Sequence, residues 1–540
     1  MAAAGAAVRW SLGALSGGLA VLLALDLALG LGLLHALGEA VSSEVKLGID
    51  LGTTRSVAAV CARGNVSVIM GGADEPSLPS TVWFSKSRGI QVGRDAVLAR
   101  AHDPGNVVYA AKRVMGLEFG SAEALASTRG LPFDWGAVEE RGAAQGSLGF
   151  RLQHGRVVSP EQVGALVLRK LKHAAERDPS TPVDWLRRAL GFSFRSATVS
   201  IPVSFSAEQK KATVRAAKMA GFYAVRLIEE PIAAALAFNL DRRKDLELDR
   251  VLVFDIGGGT LDVALLNFNK YSGSFYVDTT AGEPLLGGED FDVIVADSVL
   301  AQLPAPRANA IRKDRRALQE LLVASEMAKR VLSDRHEVSI CLPVVLAAAT
   351  TTAQAAEESA SAGTSANVGA NVGAGEGASV GVSSVGASVG ASVGAGASAG
   401  AGASATADAA ADAAAGGRRH LQLQRMKREE DRVARAAREA DRQAVGCAPH
   451  DRVNVTRQQF REAGSHKFEA AMRTVQAAMH EAGLGLDARL DVVLVGGTSR
   501  IPAIRQDIQN LLPNARLHID GVDPDHAVAI GAAKSWGCNR

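Results

Sequence analysis

The sequence predicts an α/β protein of two related lobes with a ligand cleft between them. Short β-branched runs (Val45 to Leu51, Val251 to Ile256, Leu261 to Leu266, Val492 to Val495) alternate with helical stretches such as Ser206 to Gly221, Ala317 to Ser333 and Gln458 to Gly483. An apolar strand that ends in an aspartate and a Gly/Thr turn occurs twice, at Asp50 and again at Asp255. A repeated supersecondary unit implies repeated lobes.

The first unit is Gly48-Ile49-Asp50-Leu51-Gly52-Thr53-Thr54, followed by a second strand-like run from Ser56 to Ala62. This reads as a hairpin rather than strand, loop and helix, and no Gly-Lys pair occurs in the chain, so a Walker-type phosphate loop is excluded. A tight Gly/Thr turn provides backbone N–H groups and hydroxyls that converge where a phosphate can sit. The second unit is Val253-Phe254-Asp255-Ile256-Gly257-Gly258-Gly259-Thr260-Leu261-Asp262. Either turn alone reads equally well as an ordinary hairpin that starts with Asp. Facing each other, the two would grip one polyphosphate and aim Asp50 and Asp255 at the same place, which suits Mg²⁺ held through water.

A third glycine turn follows the buried strand at Val492, as Gly496-Gly497-Thr498-Ser499-Arg500-Ile501-Pro502, and its glycines would let a ligand approach the backbone. Glu326, Lys329, Arg330 and Ser333 fall at i, i+3, i+4 and i+7 of one helix. They form a polar stripe opposite Leu321, Val323 and Val331, and alone the stripe reads as a solvated face.

Composition shows what surrounds this core. With 59 Lys+Arg against 57 Asp+Glu, the net charge of +2 argues against a nucleic-acid binder driven by bulk charge. Hydrophobic residues are 47% but aromatic ones only 4%, so part of the chain dilutes the core. The diluting segment is Ser361 to Ala407, almost entirely Ala, Gly, Ser, Thr and Val, followed by a charged, weakly amphipathic run from Arg418 to Arg442. The first lacks the apolar bulk to offset its ordering entropy, and the second reads as a solvated helix more readily than as a docking arm. At the N-terminus, Arg9 precedes an apolar stretch from Trp10 to Leu37. It reads as a secretory signal or signal-anchor, with cleavage near Ala40 preferred because Asp26 would be costly in a spanning helix. Two sequons, at Asn65 and Asn454, fit a lumenal chain as glycosylation candidates. Cys61, Cys341, Cys447 and Cys538 lie far apart without C-x-x-C spacing, which argues against a disulfide-built scaffold and a structural zinc site. The domain reading is therefore a leader at 1–43, lobe I at 44–238, lobe II at 239–345 and 451–490 around an insertion at 346–450, and a C-terminal part of the core at 491–540.

Together these motifs, with Leu285-Leu286-Gly287-Gly288-Glu289-Asp290-Phe291-Asp292, Ile201-Pro202 and Arg226-Leu227-Ile228-Glu229-Glu230-Pro231, resemble the ATPase domain of the heat-shock-protein-70 family, in the actin and sugar-kinase superfamily. The resemblance implies a two-lobed actin-like ATPase fold with the nucleotide in the cleft. It implies Asp50 and Asp255 as Mg²⁺-side carboxylates acting through water, and Lys112 as the essential lysine that holds the attacking water; outside the resemblance Lys112 reads as a surface lysine. Thr53, Thr54 and Thr260 become phosphate-contacting hydroxyls, with Gly52 in the first turn and Gly257, Gly258 and Gly259 supplying backbone donors. Gly287 and Gly288 join the nucleotide site, and Glu230 and Asp262 orient water and cations. Glu326, Lys329 and Ser333 become the ribose and base wall, with Arg330 stacking on adenine across from Arg500; Gly496, Gly497, Thr498 and Asp525 form the opposite wall. ATP and Mg²⁺ are the implied ligands, with K⁺ as a further candidate, and nucleotide-exchange or co-chaperone proteins the implied partners; no nucleic acid is expected.

Three departures from the family pattern bear on activity. The sequence ends at Arg540 without the family's peptide-binding half, so an ATPase core with no autonomous peptide-binding domain is expected, in a layout that resembles a truncated microsomal member. Arg55 stands where the family has Tyr, adding a phosphate contact or disturbing a nearby cation site. Glu229 stands where Asn is usual, and the Glu229-Glu230 pair is expected to raise one carboxyl and weaken hydrolysis. The expected function is slow Mg²⁺-dependent ATP hydrolysis in the endoplasmic reticulum lumen. The alternative is a nucleotide-binding switch with negligible turnover.

Overall fold

The computed structural model describes residues 45–62, 64–69, 71, 76–100, 102–128, 131, 133–139, 146–178, 193–242, 249–342, 447–448, 451–518 and 521–536. Residues 1–44, where the sequence reading places a leader, most of residues 346–450 with the Arg418 to Arg442 run, and Cys538 lie outside these residues. Among the described residues no helix is long and apolar enough to cross a membrane.

Lobe I begins with the hairpin of β1 (Val45–Asp50) and β2 (Arg55–Ala62), extended by β3 (Asn65–Ile69) and the short β4 (Ser77–Pro79). β5 (Val82–Ser85), β6 (Gly89–Val92), α1 (Arg94–Ala99) and β7 (Val107–Val108) form a small layer. After α2 (Ala122–Thr128) comes a three-stranded sheet of β8 (Asp134–Ala137), β9 (Leu148–Arg151) and β10 (Val157–Val158). Then follow α3 (Pro160–Arg177), β11 (Ser196–Ile201), α4 (Ala207–Met219), β12 (Ala224–Glu229) and α5 (Glu230–Ala237). β11 lies parallel to β1, and β12 parallel to β11, so the main sheet reads β12-β11-β1-β2-β3.

Lobe II repeats the plan. Its hairpins run through β13 (Arg250–Ile256), β14 (Leu261–Asn269) and β15 (Ser274–Glu283), followed by α6 (Gly288–Ala301), α7 (Ala305–Lys313) and α8 (Arg315–Leu332). β16 (Glu337–Cys341) pairs antiparallel with β17 (Arg452–Thr456) on the far side of the insertion. α9 (Arg457–Ala463), α10 (Ser465–Glu481), β18 (Asp491–Val495), α11 (Pro502–Leu511), β19 (Arg516–His518) and α12 (Ala527–Lys534) complete the chain. The sheet order is β15-β14-β13-β18-β19, with β18 parallel to β13 and β19 parallel to β18. Three antiparallel strands followed by two parallel ones is the order of the first sheet again, so the duplicated hairpins do mark duplicated lobes. Local signals set the helix starts: Ser159 with Gln162, Ser206 with Gln209 and Thr456 with Gln459 each close a reciprocal capping box. The single helix expected from Gln458 to Gly483 is two, because Gly464 ends α9 and starts α10.

Each lobe has its own apolar core, with Phe254, Phe291, Phe460 and Phe468 in lobe II and Leu47, Ile49, Phe150 and Leu168 in lobe I. A third core lies between the sheets, where Val57, Ala59, Val251, Val253, Val493 and Val495 cover the alanine faces of α5 and α12. Small residues let these helix backbones come close. A Cβ on Gly531 would lie 1.6 Å from the Ala233 carbonyl oxygen, and one on Gly48 would lie 2.1 Å from the Ala533 nitrogen. We therefore expect Gly531→Ala to destabilise the chain by about 3 kcal/mol or more, because a backbone contact cannot yield as a flexible side chain can. Thermal or urea unfolding checks this, and an unchanged midpoint would refute it.

The described cysteines pair although they lie far apart in sequence, while the apolar cores carry the fold. Cys341 and Cys447 form a disulfide with Cα atoms 5.8 Å apart, Cys61 is also disulfide-bonded, and no free cysteine occurs among the described residues. The sequence separation of 106 hid the pairing, which the β16/β17 hairpin creates by bringing the two ends of the insertion together.

Candidate nucleotide cleft

The two hairpins deliver their aspartates to one place. Asp50 is the last residue of β1, and Asp255 lies beside Asp262 across the β13/β14 pair. Lys112 comes from a short 3₁₀ turn, Ala111–Val114, that follows Ala110 in the left-handed region at φ 55°. That conformation costs a non-glycine residue roughly 1–2 kcal/mol, so the turn is held by its surroundings. The Lys112 ammonium donates to Glu230, the first residue of α5, and the two side chains are only 10% and 13% exposed. Ser200 Oγ donates to Asp50 Oδ1 at 2.7 Å, and Thr260 Oγ1 donates to Asp262 Oδ2 at 3.2 Å.

The charges in this cluster do not balance. Burial, with Glu230 adding to it, pushes Asp50 up to about 6 against the opposing pull of Lys112. Burial and Glu230 likewise push Asp262 to about 6, and burial, Glu230, Asp262 and Asp50 hold Asp255 well above the ordinary carboxylate range. Burial alone would lower the Lys112 ammonium, but Glu230 and Asp50 outweigh it and raise it. Four carboxylates around one lysine is a donor set short of positive charge, and a bound divalent cation would relieve it. Among the described residues no three acidic, histidine or cysteine side chains form a direct metal cage. Two carboxylates on one side, Asp50 and Asp255, suit a divalent cation that keeps several of its own waters. Of the two adjacent glutamates, Glu230 joins Lys112, whereas Glu229 ends β12 and precedes α5 as its N-cap residue. The partner that governs Glu230 is thus Lys112 rather than Glu229.

Above the acids the glycine turns meet. A Cβ on Gly258 would lie 2.4 Å from Thr54 Oγ1, so the turns of the two lobes touch, and that hydroxyl also donates to Glu289 Oε1 at 3.4 Å. Gly257 and Gly259 face open space. The carbonyls of Gly257 and Gly258 accept from the Gly288 and Glu289 amides at 2.9 and 2.7 Å, and Thr498 Oγ1 donates to Gly257 O at 2.9 Å. The N–H groups of Gly258 and Gly259 have no partner among the described residues, which leaves them as donors for an anion. The first turn is braced where a Cβ on Gly52 would lie 2.0 Å from Arg55 O and where Ser80 Oγ donates to Gly52 O at 2.8 Å; Thr53 lies between, half-buried. For other glycines the structure supplies a reason different from ligand access. A Cβ on Gly287 would meet Gly259 N at 2.4 Å, one on Gly288 the Thr498 hydroxyl at 2.7 Å, one on Gly497 Asp525 Oδ1 at 2.6 Å, and one on Gly496 the Ile256 carbonyl at 2.2 Å. These glycines let the three turns pack on each other.

The polar stripe on α8 is not a uniform solvated face. Glu326 and Arg330 form a half-exposed ion pair, but Lys329 is buried, donating to Gly288 O at 2.6 Å and pairing with Asp292 at 2.6 Å. Lys329 thus clamps α8 to the start of α6, and Ser333 Oγ donates back to Lys329 O at 3.4 Å. Leu321 and Val331 are buried as expected, whereas Val323 is 51% exposed. Burial works against Glu326, yet Arg330, Lys329 and, from the other lobe, Arg55 hold it below its ordinary value. The Arg55 guanidinium is itself fixed by Ser77, through Nε to Oγ at 2.7 Å. On the opposite wall Arg500 pairs with Asp523 and with Asp525 at 3.4 Å. Glu289 and Asp292, inside the Leu285 to Asp292 segment, gain roles only from the packing of α6. Arg100 was missed altogether: it stacks at 3.9 Å on the Tyr109 ring, donates to Thr81 Oγ1 at 3.0 Å, and its charge acts on Glu289.

Two sheets of one order, closing glycine turns over a buried acid and lysine cluster, define an actin-like ATPase fold. The chain belongs to the Hsp70 family: the family model described as Hsp70 protein matches residues 46–359 and 405–538, leaving out most of the Ala/Gly/Ser segment. A relative described as chaperone protein dnaK, from Cyanidioschyzon merolae, is 30% identical over 494 residues, which cover 91% of this chain and 61% of that protein. The chain therefore spans about three fifths of the relative it matches.

Proposed function

We propose that the protein binds ATP in the cleft and hydrolyses it slowly, with Mg²⁺, as part of a chaperone-related cycle. The observation that carries this reading is the meeting of the two glycine turns above Lys112, Glu230 and the aspartates Asp50, Asp255 and Asp262, of which the first two are half-buried. The free amides of Gly258 and Gly259, with the hydroxyls of Thr53, Thr54 and Thr260, would hold the phosphates. Lys112 would orient the attacking water and offset charge that grows on the γ-phosphate, and Glu230 keeps it charged and in place. Asp50 and Asp255 would hold Mg²⁺ through water, and the ion would neutralise phosphate charge; K⁺ is a further candidate beside the same acids. Glu326, Arg330 and Ser333 would line the adenosine side, with Arg500 opposite. Nucleotide-exchange or co-chaperone proteins are the expected partners.

The same reading places the protein in the endoplasmic reticulum lumen. Disulfides persist in oxidising compartments, and Cys341–Cys447 and the bridge at Cys61 support that location. Asn65 and Asn454 are both exposed, as glycan acceptors must be. In its leader and insertion the layout is similar to the truncated microsomal member Stch. A switch with negligible turnover is the second reading: the Lys112 ammonium gives one of its three donors to Glu230, and whether the others hold a water in line for attack decides between the two. The test is ATP binding and single-turnover hydrolysis by the purified chain with Mg²⁺, beside an EDTA control. Binding without turnover would select the switch, and absence of binding would refute both readings.

A further inference from the structure

The two ends of the insertion enter lobe II through a short neck whose contacts run without a gap to the candidate adenosine wall. At its base Cys341, the last residue of β16, is bridged to Cys447. Leu342 N–H donates to Asp451 O at 2.9 Å, Asp451 N–H to Ala448 O at 2.9 Å, and the Asp451 carboxylate pairs with Arg307 on α7. β17 then leads directly into Arg457. Arg457 Nε donates to Leu332 O at 2.7 Å and Nη2 to Ser333 O at 3.2 Å and to Arg335 O at 3.0 Å, while its N–H donates to His336 O at 2.8 Å. A cation on the last carbonyls of a helix satisfies orphan acceptors and opposes the helix dipole. That helix is α8, which carries Glu326, Lys329 and Arg330.

We propose that the Cys341–Cys447 bridge is a redox-sensitive control on the nucleotide cleft, acting through Arg457 on the C-terminal end of α8. This inference rests on the nucleotide reading of the cleft. β16 and β17 pair over only five residues, from Glu337↔Thr456 to Cys341↔Arg452; Val338, Ile340, Val453 and Val455 seat one face on the lobe II core, and the bridge joins the open end of the ribbon. With the bridge closed, the ribbon begins from joined ends. With it open, the pairing must close a long loop against chain entropy. Reduction by a dithiol proceeds by attack of its thiolate on one sulfur of the bridge, giving a mixed disulfide and one protein thiolate. The second dithiol sulfur then displaces the other. Two electrons and two protons pass to the protein as two thiols, and the dithiol becomes a disulfide. Cys341 is the less buried partner, since Cys447 is 8% exposed.

The experiment compares the full chain oxidised, reduced with dithiothreitol, and as the double variant Cys341→Ser/Cys447→Ser. Cys61→Ser serves as control because dithiothreitol also opens that bridge. Hydrogen exchange reads the amides of Ser333, Asp334 and Arg335, which bond into the last turn of α8, and titration reads ATP affinity. Exchange there should speed roughly tenfold on loss of the bridge, and ATP should bind about threefold or more weakly. Cys61→Ser should change neither, and Arg457→Gln in the oxidised chain should reproduce both effects and leave reduction nothing to add. Unchanged exchange at residues 333–335 in the folded double variant would overturn the proposal, as would unchanged ATP affinity. An oxidised wild type that fails to bind ATP would instead remove the nucleotide reading, and the exchange result would still judge the neck.

Discussion

Lys112→Ala is expected to lower single-turnover ATP hydrolysis by about a hundredfold or more while ATP binding persists, the size of loss seen when a preorganised charge at a developing oxyanion is removed. The same change should cost stability in the ligand-free protein. Lys112 is the cation that Glu230, Asp50 and Asp255 share, and taking it away leaves these three part-buried carboxylates without it as a counter-charge at the cleft floor. Removing one partner of a buried pair typically costs about 3–5 kcal/mol. Part of that loss should return on acidification, because protonating the acids removes the repulsion. Thermal melts of both proteins at pH 7.5 and 5.5, beside single-turnover assays, separate the two effects. Hydrolysis that survives in the variant would remove Lys112 from the chemistry. Equal melting of variant and wild type at pH 7.5 would remove it from the electrostatics.

Asp50→Asn is expected to do the reverse to stability: the ligand-free variant should melt above the wild type at pH 7.5. Asp50 and Asp262 titrate near 6 in the folded chain against 3.8 for the ordinary side chain, so between those values the folded state binds more protons than the unfolded one. Stability contributed by the protonated acids is then fully present below about pH 3.8 and lost as pH rises through about 6. At pH 7.5 the ionised Asp50, part-buried at the end of β1, carries a penalty on the order of 1–3 kcal/mol, which asparagine avoids and which a bound divalent cation would offset; Asp262 is exposed, and solvent screening leaves its share small. Asparagine also keeps an acceptor for Ser200 Oγ. The advantage of the variant should therefore shrink as the pH falls below 5, and the gain in melting temperature on adding Mg²⁺ and ATP should be smaller for the variant. A variant no more stable than wild type at pH 7.5 would show that the acids are not frustrated.

The parts legible in the sequence were those whose physics is local. A Gly/Thr turn after an aspartate announces itself within ten residues, and its recurrence announced the second lobe; the helical stretch from Ser206 was legible too, and its start is fixed by the cap on Gln209. The parts that were not legible depend on residues brought together late. Lys329 sits at stripe spacing, and only the approach of α6 turns it from a solvated amine into a buried clamp on Gly288 and Asp292. Arg457 has the spacing of any surface arginine until β17 lays it against the end of α8. Cys341 and Cys447 looked unrelated because the hairpin that joins them is interrupted by the insertion. The glycines at 287, 288, 496 and 497 were visible, but they serve the packing of one turn on another.

The order of synthesis gives the contact between Gly48 and Ala533 a temporal meaning. β1 and β2 are among the first ordered strands made, yet part of their inner face is covered by α12, made from residues 527–534. Contacts this distant in sequence form slowly, and an apolar sheet that waits for its cover is prone to aggregate. The first lobe of this chain therefore emerges from the ribosome with part of the surface around Val57 and Ala59 still uncovered, and that surface stays open to unwanted contacts until α12 is made.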